Sequence, residues 1–364
     1  MERLDRAFAR VDWIHSYPHY CLRNQPILHS DHGPIIVDFE HQLLFRHRPF
    51  HFKHMWLTHP TCKEVIQRAW NTHSIGSRAF QFKIKTSRLR STLMHWNNEV
   101  FGKVEKQILD KQSELQHIQN DIHNLEDVRK ERTLREDLET LMNRKEMKWA
   151  QKARNKGIVL GDRNTKFFQT IVKQRRVRSR ILQIKTSEGI ISEDPKTIDD
   201  TICNHFGLSF DNPSSRSHSS ILEEPNCLPI PKLSAQQLAH LNRPITNEEI
   251  EDTIFQLGPQ KAPGLDGLPA FFYHEFWNTV KRDIFNTVNA FFHSSFLLKT
   301  LNHTFITLIP KIHFPEEVSH YRPISLCNVI YKIISKLMVN RLKPLMDSLI
   351  TPFSKCFYPR KEHS

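Results

Sequence analysis

Two cations about ten residues apart, each beside a proline, are the residues of this chain best placed to do chemistry on a phosphate. The stretch from Thr304 to Leu342 reads TFITLIPKIHFPEEVSHYRPISLCNVIYKIISKLMVNRL. The β-branched run from Phe305 to Ile309 meets Pro310 and then Lys311, so it is expected to form a short strand that ends by presenting an ammonium. After a polar loop, Arg322 and Pro323 open a second apolar run. Each cation stands beside a proline that fixes the backbone, and a pair so held could grip a triphosphate. The same residues also suit an ordinary strand, loop and helix carrying two surface cations, and both readings are open on physical grounds. From Val329 the apolar positions Val329, Ile330, Ile333, Ile334, Leu337 and Met338 trace one buried helix face. Arg341 and Lys343 near its end suit the helix dipole.

A second concentration of positive charge lies in GIVLGDRNTKFFQTIVKQRRVRSRILQIKTSEGI. Arg163, Lys166, Lys173, Arg175, Arg176, Arg178 and Arg180 are interleaved with Phe167 and Phe168, and as far as Arg180 only Asp162 opposes them. Cations that displace counterions from a phosphate backbone, beside rings that stack on unpaired bases, are the ingredients of RNA or DNA binding. A solvated basic surface is the plainer alternative.

The elements that must position these groups are mostly helical. No proline occurs between Pro60 and Pro195. Over Val100 to Met147 the apolar residues Val104, Ile108, Leu115, Ile118, Ile122, Leu125, Leu134, Leu138 and Leu141 recur at threes and fours. This pattern predicts one long amphipathic helix or a helical hairpin with coiled-coil character, broken at Gly157. ILQIKTSEGIIS is expected to be a hairpin turning at Glu188-Gly189, and TIDDTICNHFGLSF a helix. Thr246, with Glu249 three residues on, predicts a capped helix start ending near Gly258-Pro259. KAPGLDG is either a phosphate-tolerant glycine loop or a plain tight turn. FFYHEFWNTVKRDIFNTVNAFFHSSFL predicts a helix pair that buries its aromatics. His47, His51 and His54 have no acidic or cysteine ligand at fixed spacing, so FRHRPFHFKHMW is expected to be a basic, aromatic surface and not a metal site.

With 364 residues the chain can hold two or three domains, and its formal net charge of +13 favours a polyanionic partner. No apolar run approaches transmembrane length, MERLDRAFAR lacks a signal-peptide core, and the six cysteines show no framework spacing. A cytosolic or nuclear protein with reduced thiols, no membrane association and no secretion is expected.

These stretches resemble one family. TLIPK followed by YRPISLCNVIYKIISKLMVNRLKP resembles the fingers of reverse transcriptases from non-LTR (LINE-type) retrotransposons of the kind common in plant genomes. KAPGLDGLPAFFYHEFW resembles the preceding block, and GDRNTKFFQTIVKQRRVRSRI a block further upstream. The resemblance implies that Lys311 and Arg322 contact an incoming nucleotide's triphosphate. ERLDRAFARVDWIHSYPHY and SDHGPIIVDF look like the last strands of the apurinic-type endonuclease that precedes the polymerase. This implies a remnant of the nuclease site at Asp5, Asp31 and His32, where a carboxylate would orient the histidine near the scissile phosphate.

The resemblance implies an endonuclease remnant (1–40), a helical, basic connector (41–210) and an N-terminal portion of a reverse transcriptase (232–364). The stretch 211–231, rich in Ser, Pro and Asn with little periodicity, has the composition of a linker before the last of these. The fold class expected is α+β, mostly helical, with a long helical or coiled-coil connector followed by an incomplete fingers and palm. The parent family uses magnesium held by a palm aspartate and an Asp-Asp pair after Tyr or Phe and a small residue. Neither box occurs here, and Ser354 to Lys361 departs from the family's Q-S-A-F-x-P-G-R block. No complete catalytic site, no metal ligand and no cofactor are therefore expected, and the chain is read as inactive alone. The expected partners are RNA or DNA, with self-association possible through the coiled coil or exposed strand edges. A non-catalytic nucleic-acid-binding module and a structural coiled-coil protein are the alternatives.

Overall fold

In a computed structural model the residues described are 7–17, 20–24, 35–39, 49–120, 124–154, 165–210, 232–312 and 315–349. They are mostly helical, with three two-stranded antiparallel sheets. None of the described helices is long and apolar enough to cross a membrane. The chain divides into two compact units, the first comprising 1–72 and 85–181 and the second 73–84 and 182–364. Gly157, Asp162, the 211–231 linker and the departing block at 354–361 lie outside the described residues.

The first unit opens with helix α1 (Val11–Ser16) and strands β1 (Cys21–Asn24) and β2 (Ile35–Asp38), paired in the register Cys21↔Asp38. The rings of Trp13, Tyr17, Tyr20 and Phe39 meet edge-on or tilted at 5.1–5.9 Å. Further along the chain a 3-10 turn over His54–Thr58 precedes helix α2 (Cys62–Trp70). Here the expectation of a basic, aromatic surface is corrected. Phe50, Phe52, Met55 and Trp56 are buried, and Trp56 packs against Trp96, with Phe101 next in the cluster. Large rings remove more apolar area from water than any other side chains, and here they find one another across forty residues of sequence.

Helix α3 (Arg78–Trp96) contributes residues to both units and passes into a π-helical turn, Asn97–Phe101, before Gly102 at φ 48°. That turn aims Asn97 back at the core, where its Oδ1 accepts from Trp56 Nε1 at 2.8 Å and Lys53 Nζ at 2.9 Å. Helices α4 (Val104–Asn120) and α5 (Leu125–Ala153) form the hairpin alternative of the sequence reading. The pairs Lys148–Glu105, Lys111–Asp137 and Gln119–Glu131 fix them antiparallel, because the partners converge as the chain nears the turn. Val104, Ile108, Leu134 and Leu141 are buried in the seam, whereas Leu125 near the turn is exposed. Asn124 caps α5 by accepting from Glu126 and Asp127 N–H groups, and Arg154 in the left-handed region closes it. Gln151 ties α5 to the aromatic core, since its side-chain amide donates to Phe52 O and accepts from His54 N–H. Helix α6 (Thr165–Arg178) packs on α5 and α1.

The second unit contains the predicted hairpin, β3 (Ile184–Lys185) with β4 (Ile191–Ser192), turning through Gly189 at φ 82°. Helices α7 (Pro195–Phe210), α8 (Ala235–Asn242) and α9 (Asn247–Phe255) follow, the last two with complete capping boxes at Ser234/Gln237 and Thr246/Glu249. The predicted aromatic helix pair is α10 (Ala270–Glu275) and α11 (Trp277–Ser294), which bury Phe272, Tyr273, Phe276 and Trp277. After the short α12 (Lys299–Asn302) come β5 (Phe305–Pro310), β6 (Tyr321–Leu326), α13 (Val329–Leu342) and α14 (Met346–Leu349). Helix α13 buries Val329, Ile330, Ile333, Ile334 and Leu337 against α9 and α11, but Met338 is exposed and Arg341 takes the buried place beyond it.

Candidate nucleic-acid interface

Strands β5 and β6 pair in one unbroken register, Phe305↔Leu326 through Pro310↔Tyr321. The Lys311 N–H donates to His320 O at 2.8 Å, which carries the ladder one residue further. Residues 311 and 320 are thus a hydrogen-bonded pair, and by alternation so are Ile309 and Arg322. Side chains two apart on a strand share a face, so Lys311, Ile309 and Arg322 lie on one face of the ribbon. Lys311 and Arg322 are diagonal neighbours across the strands, a relation that places the two residues about 7–8 Å apart, their Cβ atoms somewhat closer. Arg322 is exposed, and the Lys311 ammonium donates to the Ser319 carbonyl at 2.7 Å. The alternation also explains the prolines. Pro310 and Pro323 fall in non-hydrogen-bonded pairs, where a backbone N–H would point away from the partner strand, so neither costs the ladder a bond.

The KAPGLDG segment is a tight turn, with Gly267 N–H donating to Gly264 O at 3.1 Å and Gly267 at φ 71°. Gly264 lies against the junction of β6 and α13, where a Cβ would stand 2.4 Å from both the backbone nitrogen and the Oδ1 of Asn328. Buried Asn328 accepts from Asp266 N–H and donates to Leu301 O, and Lys332 Nζ reaches Ala262 O at 2.7 Å. The Asp266 carboxylate turns inward to accept from Leu268 N–H and Tyr273 Oη. Burial pushes its pKa up to about 6 against the favourable charge of Lys332.

In the first unit, α6 splits the predicted cluster. Lys166, Arg175, Arg176 and Arg178 are exposed, as is the Phe167 ring, whereas Phe168 is buried. At 100° per residue, Phe167, Arg175 and Arg178 share one side of the helix and Lys173 and Arg176 another. Arg180 is half-buried and donates to Tyr20 O at 3.3 Å; burial and the nearby Arg176 lower its pKa. Burial likewise lowers the pKa of Lys173. Arg163, Asp5, Asp31 and His32 lie outside the described residues, as does His47. The α6 cations belong to the first unit, and Lys311 and Arg322 to the second. Sequence reasoning missed Asn328, whose contacts to Leu301 and Asp266 reach 27 and 62 residues away and leave no local signature.

No protein-family model matches the chain. Over 191 residues, 52% of its length, it is 29% identical to the "Transposon TX1 uncharacterized 149 kDa protein" of Xenopus laevis. The matched stretch is 14% of that protein. This likeness supports a transposon-related origin for the chain.

Proposed function

We propose that the chain is a portion of a LINE-type retrotransposon polyprotein: an endonuclease tail, a basic helical connector that binds RNA or DNA, and the first part of a reverse transcriptase. The observation that carries this reading is the shared ribbon face of Lys311 and Arg322, two fixed cations open to solvent on one side. The likeness to a transposon protein supports it. In this reading the two cations neutralise a nucleoside triphosphate, Arg322 through its fork of donors and Lys311 as a point charge released from Ser319.

Magnesium would serve the parent reaction by stabilising the attacking and leaving oxygens. In this reading the magnesium-dependent step belongs to the parent polyprotein, because the palm aspartate box and the Asp-Asp pair do not occur in this sequence. The test is a filter-binding and primer-extension experiment on an RNA template annealed to a DNA primer, with magnesium or manganese present. The expected result is binding that weakens steeply with salt, without extension. Templated extension above a no-protein control, or the lack of binding at low salt, overturns the proposal.

A further inference from the structure

Thr86, Ser91, Thr133 and Ser179 each follow a lysine or arginine at both the first and the third position before the hydroxyl. A protein kinase with a carboxylate-lined substrate groove selects that pattern, since the cations pair with its carboxylates and set the register of the hydroxyl. Such a groove takes its substrate as an extended chain. The fold therefore decides which of these hydroxyls can enter it.

Thr86 is buried. Ser91 lies inside α3, where its hydroxyl donates to Ser87 O at 3.3 Å and the Arg90 guanidinium stands 5.9 Å from the Phe50 ring. Thr133 lies inside α5 and donates to Arg129 O at 3.1 Å, while Lys130 pairs with Glu126 and Arg132 with Glu136. Extending either segment breaks helix on both sides of the hydroxyl. Ser179 differs. It is exposed one residue past the end of α6, and Arg180 to Gln183 after it form neither helix nor strand. Its N–H closes the last turn by donating to Arg175 O at 3.0 Å. The buried residues of α6, Phe168 and Thr170, lie in its first half, so that turn can open without uncovering them. Arg175, Arg176 and Arg178 are exposed and precede the hydroxyl by four, three and one residues.

We propose that Ser179 is the phosphate acceptor of a protein kinase that selects basic substrates, and that the phosphate then pairs with Arg175 and Arg176. In the transfer Ser179 Oγ attacks the γ-phosphorus of the kinase's ATP, the hydroxyl proton passes to a kinase carboxylate, and ADP leaves. Residues three and four apart on a helix are neighbours, which sets the new phosphate beside both guanidiniums. Two charge-assisted bonds outweigh the repulsion of a negative charge by the helix C-terminus. The acceptor site depends on no part of the transposon assignment; on the reading of α6 given above, its phosphate would also take two cations from RNA.

The test treats the full chain with the catalytic subunit of cyclic-AMP-dependent protein kinase and magnesium ATP, and locates the phosphate by peptide mass. Phosphate is expected on Ser179 and is lost in Ser179→Ala. Arg176→Gln should slow its incorporation about tenfold, because one charged pair with the groove is removed. Ser91 should stay unmodified in the folded chain, yet accept phosphate in a free peptide spanning Lys85 to His95, which has no α3 to hold it. Phosphorus NMR then reads the pairing: two adjacent guanidiniums should hold the second ionisation of the phosphoserine at lower pH in the folded chain than in urea. No phosphate on Ser179, or equal modification of Ser91 in the folded chain, overturns the acceptor assignment. A phosphoserine that titrates alike in the folded and unfolded chain overturns the pairing.

Discussion

Arg341 on α13 and Glu249 on α9 form a two-pronged ion pair, Nη2 to Oε2 at 2.7 Å and Nε to Oε1 at 3.2 Å. The same guanidinium donates to the carbonyls of Leu241, Arg243 and Pro244, so one buried side chain closes the segment between α8 and α9 onto α13. Glu249 is also the capping-box partner of Thr246 and pairs with Arg243. The hydrogen bonds and charge of Arg341 hold its pKa down at about 2, with burial opposing.

A depressed carboxylate stabilises the folded state above its unfolded pKa, and that contribution is lost as pH falls through the folded value. For Glu249 the window runs from about pH 4.5 to about pH 2, and after discounting for partial exposure the loss is of order 2–3 kcal/mol. Glu249→Gln is expected to remove this dependence. It should also lower stability at neutral pH by about 3 kcal/mol, because Arg341 keeps its charge in a buried place. Hydrogen-exchange protection of α9 and α13 measures both, and unchanged protection at pH 7 would count against the pair.

Asp266 acts with the opposite sign. Its pKa is raised from 3.8 to about 6, so the folded state holds the proton more tightly than the unfolded chain. Stability is therefore highest below about pH 4 with respect to this group and falls as pH rises through 6. Asp266→Asn keeps an acceptor for Leu268 N–H and removes the buried charge. A gain of about 1–2 kcal/mol at pH 8, vanishing by pH 4, is expected in thermal melts. Destabilisation at pH 8 would show that the attraction of Lys332 outweighs the burial of the charge, and would refute the prediction.

These two carboxylates mark the border of what the sequence discloses. The Thr246–Glu249 box, the turn at Gly189 and the buried stripe of α13 follow from spacing over a few residues, and the structure contains them. Arg341 reads locally as a cation at a helix end, yet its partner is 92 residues away. Gly264 reads as a loop glycine suited to phosphate, but the space a Cβ would need is filled by Asn328. Phe52 and Trp56 read as surface because histidines and lysines surround them, and only their meeting with Trp96 and Gln151 reveals a core. Local periodicity reports which face of an element is apolar; it does not report which distant element covers that face.

On α6 the structure separates exposed arginines from a half-buried one. Replacing exposed Arg175, Arg176 and Arg178 by Gln is expected to weaken RNA binding at low salt and flatten the salt slope by about 2, with thermal stability unchanged. Arg180→Gln should instead lower stability, since it removes the donor to Tyr20 O from a half-buried site. An unaltered slope for the triple variant would make those arginines mere surface.

The β5–β6 ribbon is paired to no third strand among the described residues, and Phe305, Ile306, Ile309 and Ile324 are exposed on it. Leu308 on the same strand is half-buried. An uncovered ribbon with apolar faces invites a second copy to pair along its edge. The outward positions of Pro310 and Pro323 oppose this, because each removes a donor that an incoming strand would use. Two substitutions should therefore act in opposite directions on the self-association of the full chain measured by sedimentation. Ile306→Lys, which places charge on the exposed face, should shift the equilibrium toward monomer. Pro323→Val restores an outward N–H at a strand-compatible residue and should shift it toward larger species. If neither variant changes the concentration at which the chain associates, the ribbon is not the surface through which copies meet.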